Sequence, residues 1–398
     1  MKYVNSLLFL LIGLLFLGNV SYGQSQPKIT LEEHIELLAP KLLDHYNVAG
    51  IGIMVLEESN IAYTKMFGYA DLASKAPIKP STIFNIGSIS KPMTAWGVMH
   101  LVEQGKINLD EPVNRYLKSV KLQSDSMNTN EVTIRQLLSH TAGLSLAAVP
   151  EYSPNTKNPD LTTYLKESKD LYFLQEPGTG WNYSGGGYMV LQQVIEDITG
   201  DKFGHFMEKE ILEPLDMENS SYSWRPDLVK YAATPYHENQ STEYFIYTGQ
   251  AAASLNTNLD DLGKWMEATF SLVNNQHIQS EILDPATFHL MINPAPAAQR
   301  QYGLSYGLGY ELWPMGNNTY LAGHNGQNTG WTSGAWFNPS TGDGLVVLIN
   351  DSYGYNTWRG VFCDWMYWTS EIKWRGICTD RPGELPVLNT YRGEVKQD

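Results

Sequence analysis

Along the first hundred residues, the spacing of the apolar positions alternates between the period of a helix and the period of a strand. Their helical spacing from Leu31 to Tyr46 predicts an amphipathic helix. Two strand-like runs follow, Ile51–Leu56 and Ile61–Phe67, and the four polar residues between them indicate a hairpin turn. Helical spacing returns from Ser88 to Val102 and stops just before a glycine, a common C-cap. The N-terminal region is therefore predicted to fold as helix, hairpin and helix.

From about residue 106 to residue 300 the pattern is mainly helix and loop. The predicted helical segments there are Thr133–Ser139, Tyr188–Thr199, Gly204–Leu212 and Leu259–Phe270. Strand character returns in four short runs divided by turn residues: Gly309–Pro314, Thr319–Gly323, Gly330–Asn338 and Gly344–Asn350. A last helix is predicted over Thr357–Thr369. With strands at both ends and helices between them, the chain is predicted to be α+β: one antiparallel β-sheet, flanked by the terminal helices, with an inserted mainly helical lobe.

This pattern predicts one domain over residues 24–398, with a sheet lobe at about 30–95 and 300–370 and a helical lobe at about 96–299. The preceding segment differs, because Lys2 is followed by an apolar run from Leu7 to Leu17 and by small residues at Ser21 and Gly23. These features are typical of a secretory signal peptide cleaved near Gly23. The run is shorter than the ~20 apolar residues that span a bilayer, so no stable membrane anchor is expected. The mature protein is predicted to be secreted or periplasmic.

Composition narrows the possible partners. The net charge of −15 and the lack of a basic stripe argue against nucleic acid as a partner. Two cysteines are too few for a zinc site, and no His-x-x-x-His pair stands beside a carboxylate, so neither a metal nor a cofactor is predicted. In an oxidising compartment Cys363 and Cys378 could form a disulfide, or they could remain buried thiols; the sequence leaves both open.

The local feature with chemical meaning is Ser88-x-x-Lys91, at the start of a predicted helix. One helical turn places the two side chains on one face, about 5–6 Å apart at Cβ. A serine hydroxyl needs a neighbouring base to become a nucleophile, and an amine in a dry cleft loses its preference for the charged form. The spacing alone would occur about once by chance in a chain of this length, so it does not identify a site by itself.

Three further segments strengthen the prediction that Ser88 is a nucleophile. In chain order, the four stretches Phe84–Pro92, Thr133–Leu144, Pro177–Tyr188 and Gly323–Trp331 resemble a family of serine hydrolases. That family includes class C β-lactamases, penicillin-recognising DD-peptidases, and related esterases and D-amino-acid peptidases. The resemblance covers about residues 30–370, and it implies a helical lobe against an antiparallel sheet.

The resemblance also implies roles. Ser88 matches the acylated nucleophile, Lys91 matches its partner, and Tyr183 matches a general base that later helps to deliver the deacylating water. A phenol normally titrates near pH ~10, so Lys91 would have to lower the pKa of Tyr183 for a phenolate to contribute. The segment His324–Gly326 matches the family's third motif, which lies on the strand at the edge of the cleft. The resemblance therefore implies that the substrate is bound by His324, Gly326, Gln327 and Gly185. The implied oxyanion hole consists of the N–H of Ser88 and one around Gln327.

Two residues depart from the β-lactamase pattern. His324 stands where a lysine usually attracts the drug's carboxylate, and a histidine is largely neutral at pH 7 unless its pKa is shifted. Gly185 stands where an asparagine usually holds a substrate amide. Both differences favour an esterase or peptidase, with a small-molecule or peptide substrate that could be derived from the cell wall. His140 lies in a matched stretch and is predicted to be a structural hydrogen-bonding residue.

Several alternatives remain open at this point. The protein could be a β-lactamase, or a non-catalytic penicillin or peptidoglycan receptor on the same fold. Gly303–Gly307 fits the G-x-S-x-G elbow of α/β-hydrolases through Ser305, although the elbow requires a helix directly afterwards and strand-like residues follow. Gly185–Gly187 lacks the residues that complete a phosphate-binding loop and is instead predicted to let the backbone turn tightly beside the cleft. The sequence determines neither the natural substrate nor the oligomeric state.

Overall fold

The computed structural model describes residues 29–370, apart from 147, 278–281 and 317–318, together with Cys378. The predicted signal segment, residues 1–23, lies outside the described residues. The α-helices are α1 Leu31–Tyr46, α2 Ser90–Glu103, α3 Ile134–Leu138, α4 Leu161–Glu167, α5 Gly185–Thr199, α6 Phe203–Met207, α7 Pro226–Val229, α8 Gln250–Ala253, α9 Leu259–Val273, α10 Pro285–Met291 and α11 Tyr355–Thr369. The strands are β1 Gly50–Glu57, β2 Asn60–Asp71, β3 Ala76–Pro77, β4 Phe84–Asn85, β5 Glu151–Tyr152, β6 Tyr236–His237, β7 Gln240–Ser241, β8 Ile246–Tyr247, β9 Asn256–Thr257, β10 Ser305–Tyr306, β11 Glu311–Gly316, β12 Thr319–Asn328, β13 Trp331–Phe337 and β14 Gly344–Ile349.

Strands from both ends of the chain form one eight-stranded sheet in the order β10-β11-β12-β13-β14-β1-β2-β3. Every neighbouring pair in it is antiparallel. The join between the two ends is the β1–β14 pair, in which Ile51 lies opposite Ile349. The predicted α+β architecture with an antiparallel sheet is therefore confirmed.

The sheet is covered on both faces, as the alternation of side chains along β1 requires. Ile51, Ile53 and Val55 pack into one core with the terminal helices α1 and α11, which also contact each other. Met54 and Leu56 point into the other core, with α2 and α9. Although α9 falls in the range expected for the helical lobe, it packs directly on the sheet.

The first helix has the predicted bounds because its ends are locally encoded. Thr30 caps it by accepting the Glu33 N–H, while the Glu33 side chain accepts the Thr30 N–H. Asn47 ends it in the left-handed conformation. The second helix begins two residues later than predicted: Ser88 lies in a 3₁₀ turn, Gly87–Ile89, which leads into α2.

The glycine run at residues 185–187 corrects one expectation. These glycines do not form a tight turn; they form the buried first turn of α5, whose N-cap is Ser184. A Cβ added to Gly186 would lie 2.5 Å from Leu171 Cδ1 and 3.2 Å from the Ser145 carbonyl oxygen. Close packing therefore explains at least this glycine.

The last described helix, α11, contains one of the two cysteines. Cys363 in α11 forms a disulfide with Cys378, one of the two alternatives that the sequence left open. Within the described part of the chain, no helix combines the length and the apolar character needed to cross a bilayer.

Candidate active site

The turn that carries Ser88 is fixed by residues distant in sequence. Strand β4 pairs with β9, so that Asn85 lies opposite Asn256. The Asn85 Oδ1 accepts the Gly87 N–H at 3.0 Å and the Asn328 side-chain amide at 2.6 Å. Gly87 takes a left-handed φ of 51°, which a glycine adopts at little cost. The turn that carries Ser88 is thereby held between β9 and the end of β12.

Ser88, Lys91 and Tyr183 meet as the resemblance implied. Lys91 Nζ lies 3.0 Å from Ser88 Oγ and donates to the Ala252 carbonyl oxygen at 2.8 Å. The Tyr183 hydroxyl lies 2.9 Å from Ser88 Oγ on its other side. Lys91 Nζ is also 4.8 Å from the centre of the Tyr183 ring. The serine oxygen is thus in hydrogen-bond contact with both groups.

Burial shifts the pKa values of Lys91 and Tyr183. Lys91 is 1% exposed, and burial lowers its pKa to about 7, against an opposing effect of Glu311. Burial raises the pKa of Tyr183 above its ordinary value, although the hydrogen bond to Ser88 acts in the other direction. The condition for a phenolate is therefore not met at Tyr183, because removal from water outweighs the effect of its neighbours on the pKa. The lowered pKa makes the neutral amine of Lys91 accessible near neutral pH.

Tyr183 is positioned by the start of α5 and by His140. Ser184 caps α5 by accepting the Gly187 N–H at 2.9 Å. The His140 Nδ1 accepts the Ser184 N–H at 3.1 Å, and the His140 ring lies 4.4 Å from that of Tyr183. Burial holds the pKa of His140 well below its ordinary value. His140 therefore makes the structural hydrogen bond predicted for it.

The last part of β12 lies against the turn that carries Ser88. Strand β11 pairs with β12 only as far as Gly323, so beyond that point the β11-side edge of β12 is open to the turn. A Cβ on Gly87 would lie 2.7 Å from the Gln327 nitrogen, and one on Gly326 would lie 2.0 Å from the Ile86 oxygen. Both glycines allow backbone contact, which places Gln327 beside the residue that precedes Ser88.

Ser88, Lys91 and Tyr183 line a cavity of about 680 Å³. Its lining comprises Ser88, Lys91, Ala148, Val149, Glu151, Tyr183, His237, Ala252, Ala253, Gln327, Asn328, Thr329 and Ser352. Sequence reasoning missed Glu151, His237 and Ser352, which lie outside every recognised motif. Asn328 and Thr329 belonged to a matched stretch and could have been selected from it.

Three of the predicted substrate-binding residues do not line this cavity: His324, Gly326 and Gly185. His324 is buried, its ring lies 6.1 Å from the Tyr183 ring, and its Nδ1 contacts the Asn325 carbonyl oxygen. Burial lowers the pKa of His324 to about 4, so the imidazole is neutral at pH 7. Gly326 acts through close packing, and Gly185 lies in the first turn of α5.

The alternative nucleophile Ser305 has the wrong surroundings. It opens the two-residue strand β10, which pairs with β11, and no helix follows it. Its buried hydroxyl donates to the Ala298 carbonyl oxygen at 3.3 Å. The strand–turn–helix geometry of an α/β-hydrolase elbow is absent at this position.

A serine in contact with a buried lysine and a tyrosine, beside an antiparallel sheet, is the arrangement of the serine hydrolase fold shared by β-lactamases and penicillin-binding proteins. The family model described as Beta-lactamase matches residues 35–359 of the chain. The chain therefore belongs to the β-lactamase family.

Individual relatives are distant. Protein flp of Staphylococcus aureus (strain MRSA252) is 24% identical over 333 residues, which cover 80% of this chain and 63% of that protein. Penicillin-binding protein 4* of Bacillus subtilis (strain 168) is 27% identical over 327 residues, covering 75% of this chain and 66% of that protein. The chain thus spans just under two thirds of these relatives' length.

Among solved structures, the octameric penicillin-binding protein homologue from Pyrococcus abyssi superposes with a TM-score of 0.69 at 24% identity. The match covers 82% of this chain and 74% of that one. At this level of identity the likeness establishes the shared fold.

Proposed function

We propose that this protein cleaves an ester, a D-amino-acid peptide or a related amide through an acyl-enzyme on Ser88. The observation that carries the proposal is the contact of Ser88 Oγ with Lys91 Nζ at 3.0 Å and with the Tyr183 hydroxyl at 2.9 Å. Because Lys91 is buried and its pKa is lowered to about 7, the neutral amine is populated at neutral pH.

Acylation begins when the neutral Lys91 amine takes the Ser88 proton. Oγ forms a bond to the substrate carbonyl carbon, and the negative charge on the carbonyl oxygen is stabilised by the backbone N–H groups of Ser88 and Gln327. When the intermediate collapses, the bond to the leaving group breaks. Tyr183 donates its hydroxyl proton to the leaving group and regains one from the Lys91 ammonium.

Deacylation repeats these steps with water. Lys91, neutral again, accepts a proton from a water molecule whose oxygen attacks the ester carbonyl carbon. The bond to Ser88 Oγ then breaks, and Oγ recovers its proton from Lys91 by way of Tyr183. The products are the free acid and the starting enzyme.

The substrate class follows from the charge around the cavity. The neutral His324 lies outside the cavity lining, and Gly185 has no side chain with which to hold an amide. Lys91 is engaged with Ser88 and Ala252. These features support an ester or peptide substrate over a β-lactam whose carboxylate needs a cationic partner.

A panel of four substrates tests this proposal: p-nitrophenyl butyrate, a D-Ala-D-Ala peptide, a D-amino-acid amide and a chromogenic cephalosporin. We expect steady turnover of the ester with weak turnover of the cephalosporin. Cephalosporin hydrolysis much faster than ester hydrolysis would contradict the substrate class. Stoichiometric labelling by a penicillin, with no turnover of any substrate, would identify a receptor instead.

The pH dependence of kcat/KM provides a second test. The neutral form of Lys91 is the base, so kcat/KM for p-nitrophenyl butyrate should rise about tenfold per pH unit below pH 7 and level off above it. Burial also raises the pKa of Asp351 to about 6, so Asp351→Asn is the control and should keep the rising limb near pH 7. A flat profile from pH 5 to 8, or a limb that disappears in Asp351→Asn, would contradict Lys91 as the base.

Export remains part of the proposal. The disulfide between Cys363 and Cys378 supports an oxidising compartment, in agreement with the basic and apolar start of the chain. Expression of the full chain with detection of the enzyme outside the cytoplasm, and an N-terminal sequence beginning near Gln24, is the expected outcome.

A further inference from the structure

One anionic side chain faces the cavity that holds Ser88. The titratable residues of the described lining are Lys91, Glu151, Tyr183 and His237. Lys91 and Tyr183 are engaged with Ser88, and the Nδ1 of His237 lies 2.9 Å from the Ser352 hydroxyl. Glu151 therefore brings the carboxylate charge to the described wall.

The Glu151 carboxylate is held rigidly. Its Oε1 accepts the Thr329 N–H at 3.1 Å and the Tyr247 hydroxyl at 3.1 Å, and its Oε2 accepts the Thr329 hydroxyl at 2.6 Å. Strand pairing also places Glu151 opposite Tyr247. A carboxylate offers about four acceptor positions, so Oε2 keeps one for a ligand.

The length of chain between Gln327 and Thr329 indicates how far Glu151 lies from a carbonyl oxygen bound at Gln327. Its partner Thr329 follows Gln327 by two residues, which is about 7 Å of extended chain. In an amino-acyl group, the α-nitrogen lies about 3 Å from the carbonyl oxygen. With a hydrogen bond of about 2.9 Å at each end, such a group reaches about 9 Å, which exceeds the length of chain from Gln327 to Thr329.

We propose that Glu151 binds the α-ammonium group on the acyl side of the substrate, so that this enzyme prefers amino-acid esters or amides with a free amine. This inference rests on the proposed acyl-enzyme at Ser88. A fixed, half-buried carboxylate attracts an ammonium group and repels a carboxylate more strongly than it would in water. The chain's net charge of −15 acts in the same direction.

The test compares alanine benzyl ester, as both enantiomers, with its N-acetylated form, by measuring released benzyl alcohol. We expect kcat/KM of the wild type for the preferred enantiomer to be about tenfold or more higher with the free amine. In Glu151→Gln, kcat/KM for the free-amine ester should fall at least about fivefold more than that for the acetylated ester. Glutamine keeps the shape and an acceptor for the Thr329 N–H while removing the charge.

Glu243→Gln is the matched control, because Glu243 is an exposed carboxylate whose contact is the Ser153 hydroxyl, outside the cavity lining. It should leave the preference for the free amine unchanged. The preference in the wild type should also decline above about pH 8, where an α-amine loses its proton. Taking the ratio of the two substrates at each pH cancels the titration of the enzyme itself.

A wild type that does not prefer the free amine would overturn the proposal. So would an equal loss on both esters in Glu151→Gln, which would show that Glu151 only supports the cavity wall. Failure to hydrolyse either alanine ester by an enzyme that cleaves p-nitrophenyl butyrate would overturn it as well. If p-nitrophenyl butyrate is not cleaved and a fluorophosphonate does not label Ser88, the proposed function itself fails.

Discussion

Replacing Ser88 by alanine should lower kcat/KM for p-nitrophenyl butyrate by about 10⁴-fold or more and abolish covalent labelling by a fluorophosphonate. The expected loss is large because Oγ forms the bond to the acyl group and cannot be replaced by a neighbouring atom. Residual hydrolysis would reflect only the remaining cavity and oxyanion donors, as in other hydrolases stripped of their nucleophile.

The matched control is Ser305→Ala. Ser305 is a buried serine in the glycine-flanked pentapeptide Gly303–Gly307, and its hydroxyl contacts the Ala298 carbonyl oxygen. This variant should be labelled at the wild-type rate, with mass spectrometry placing the adduct on Ser88. Labelling that persists in Ser88→Ala would show that another residue is the nucleophile.

Substitution of Lys91 by methionine should lower kcat/KM by about 10³-fold, the size of a general-base contribution. Methionine has nearly the length of lysine but no proton acceptor, and Lys91 Nζ is 3.0 Å from Ser88 Oγ. The melting temperature should stay within a few degrees of the wild type. The Ala252 carbonyl oxygen loses a hydrogen bond, while the removal of a buried amine offsets part of that cost.

Tyr183→Phe provides the comparison that separates the two possible bases. Burial raises the pKa of Tyr183, so the proposed proton path uses its hydroxyl as a proton donor and relay rather than as a phenolate. The rate of fluorophosphonate labelling should therefore fall more in Lys91→Met than in Tyr183→Phe. The reverse order would mean that the phenolate is the base despite its burial, and would contradict the proton path proposed above.

The sequence was most informative where structure is locally encoded. The bounds of α1 were predicted from apolar spacing, because its cap residues lie within the same segment. The antiparallel sheet was predicted because its long strands carry their own periodicity. Strand β4 was missed because two residues have no period, although its pairing with β9, some 170 residues away, holds the Ser88 turn.

The candidate site also combines features that could be predicted from the sequence with features that could not. The contact among Ser88, Lys91 and Tyr183 followed from a family resemblance, since the spacing of a serine and a lysine alone is close to chance. The charge states could not be predicted, because the burial of Lys91 and Tyr183 depends on how separate helices close around them. The same limit applies to Glu151 and Ser352, which reach the cavity wall from segments far from any motif.

Because β1 pairs with β14, the sheet can close only late in the synthesis of the chain. Residue 51 meets residue 349 at the centre of the sheet, so most of the polypeptide must be synthesised before that sheet can close. Contacts of such long sequence separation form slowly, and an unfinished chain remains exposed to proteases. A chain truncated before Gly344 would contain Ser88, Lys91 and Tyr183 but would lack the strand that joins the two halves of the sheet.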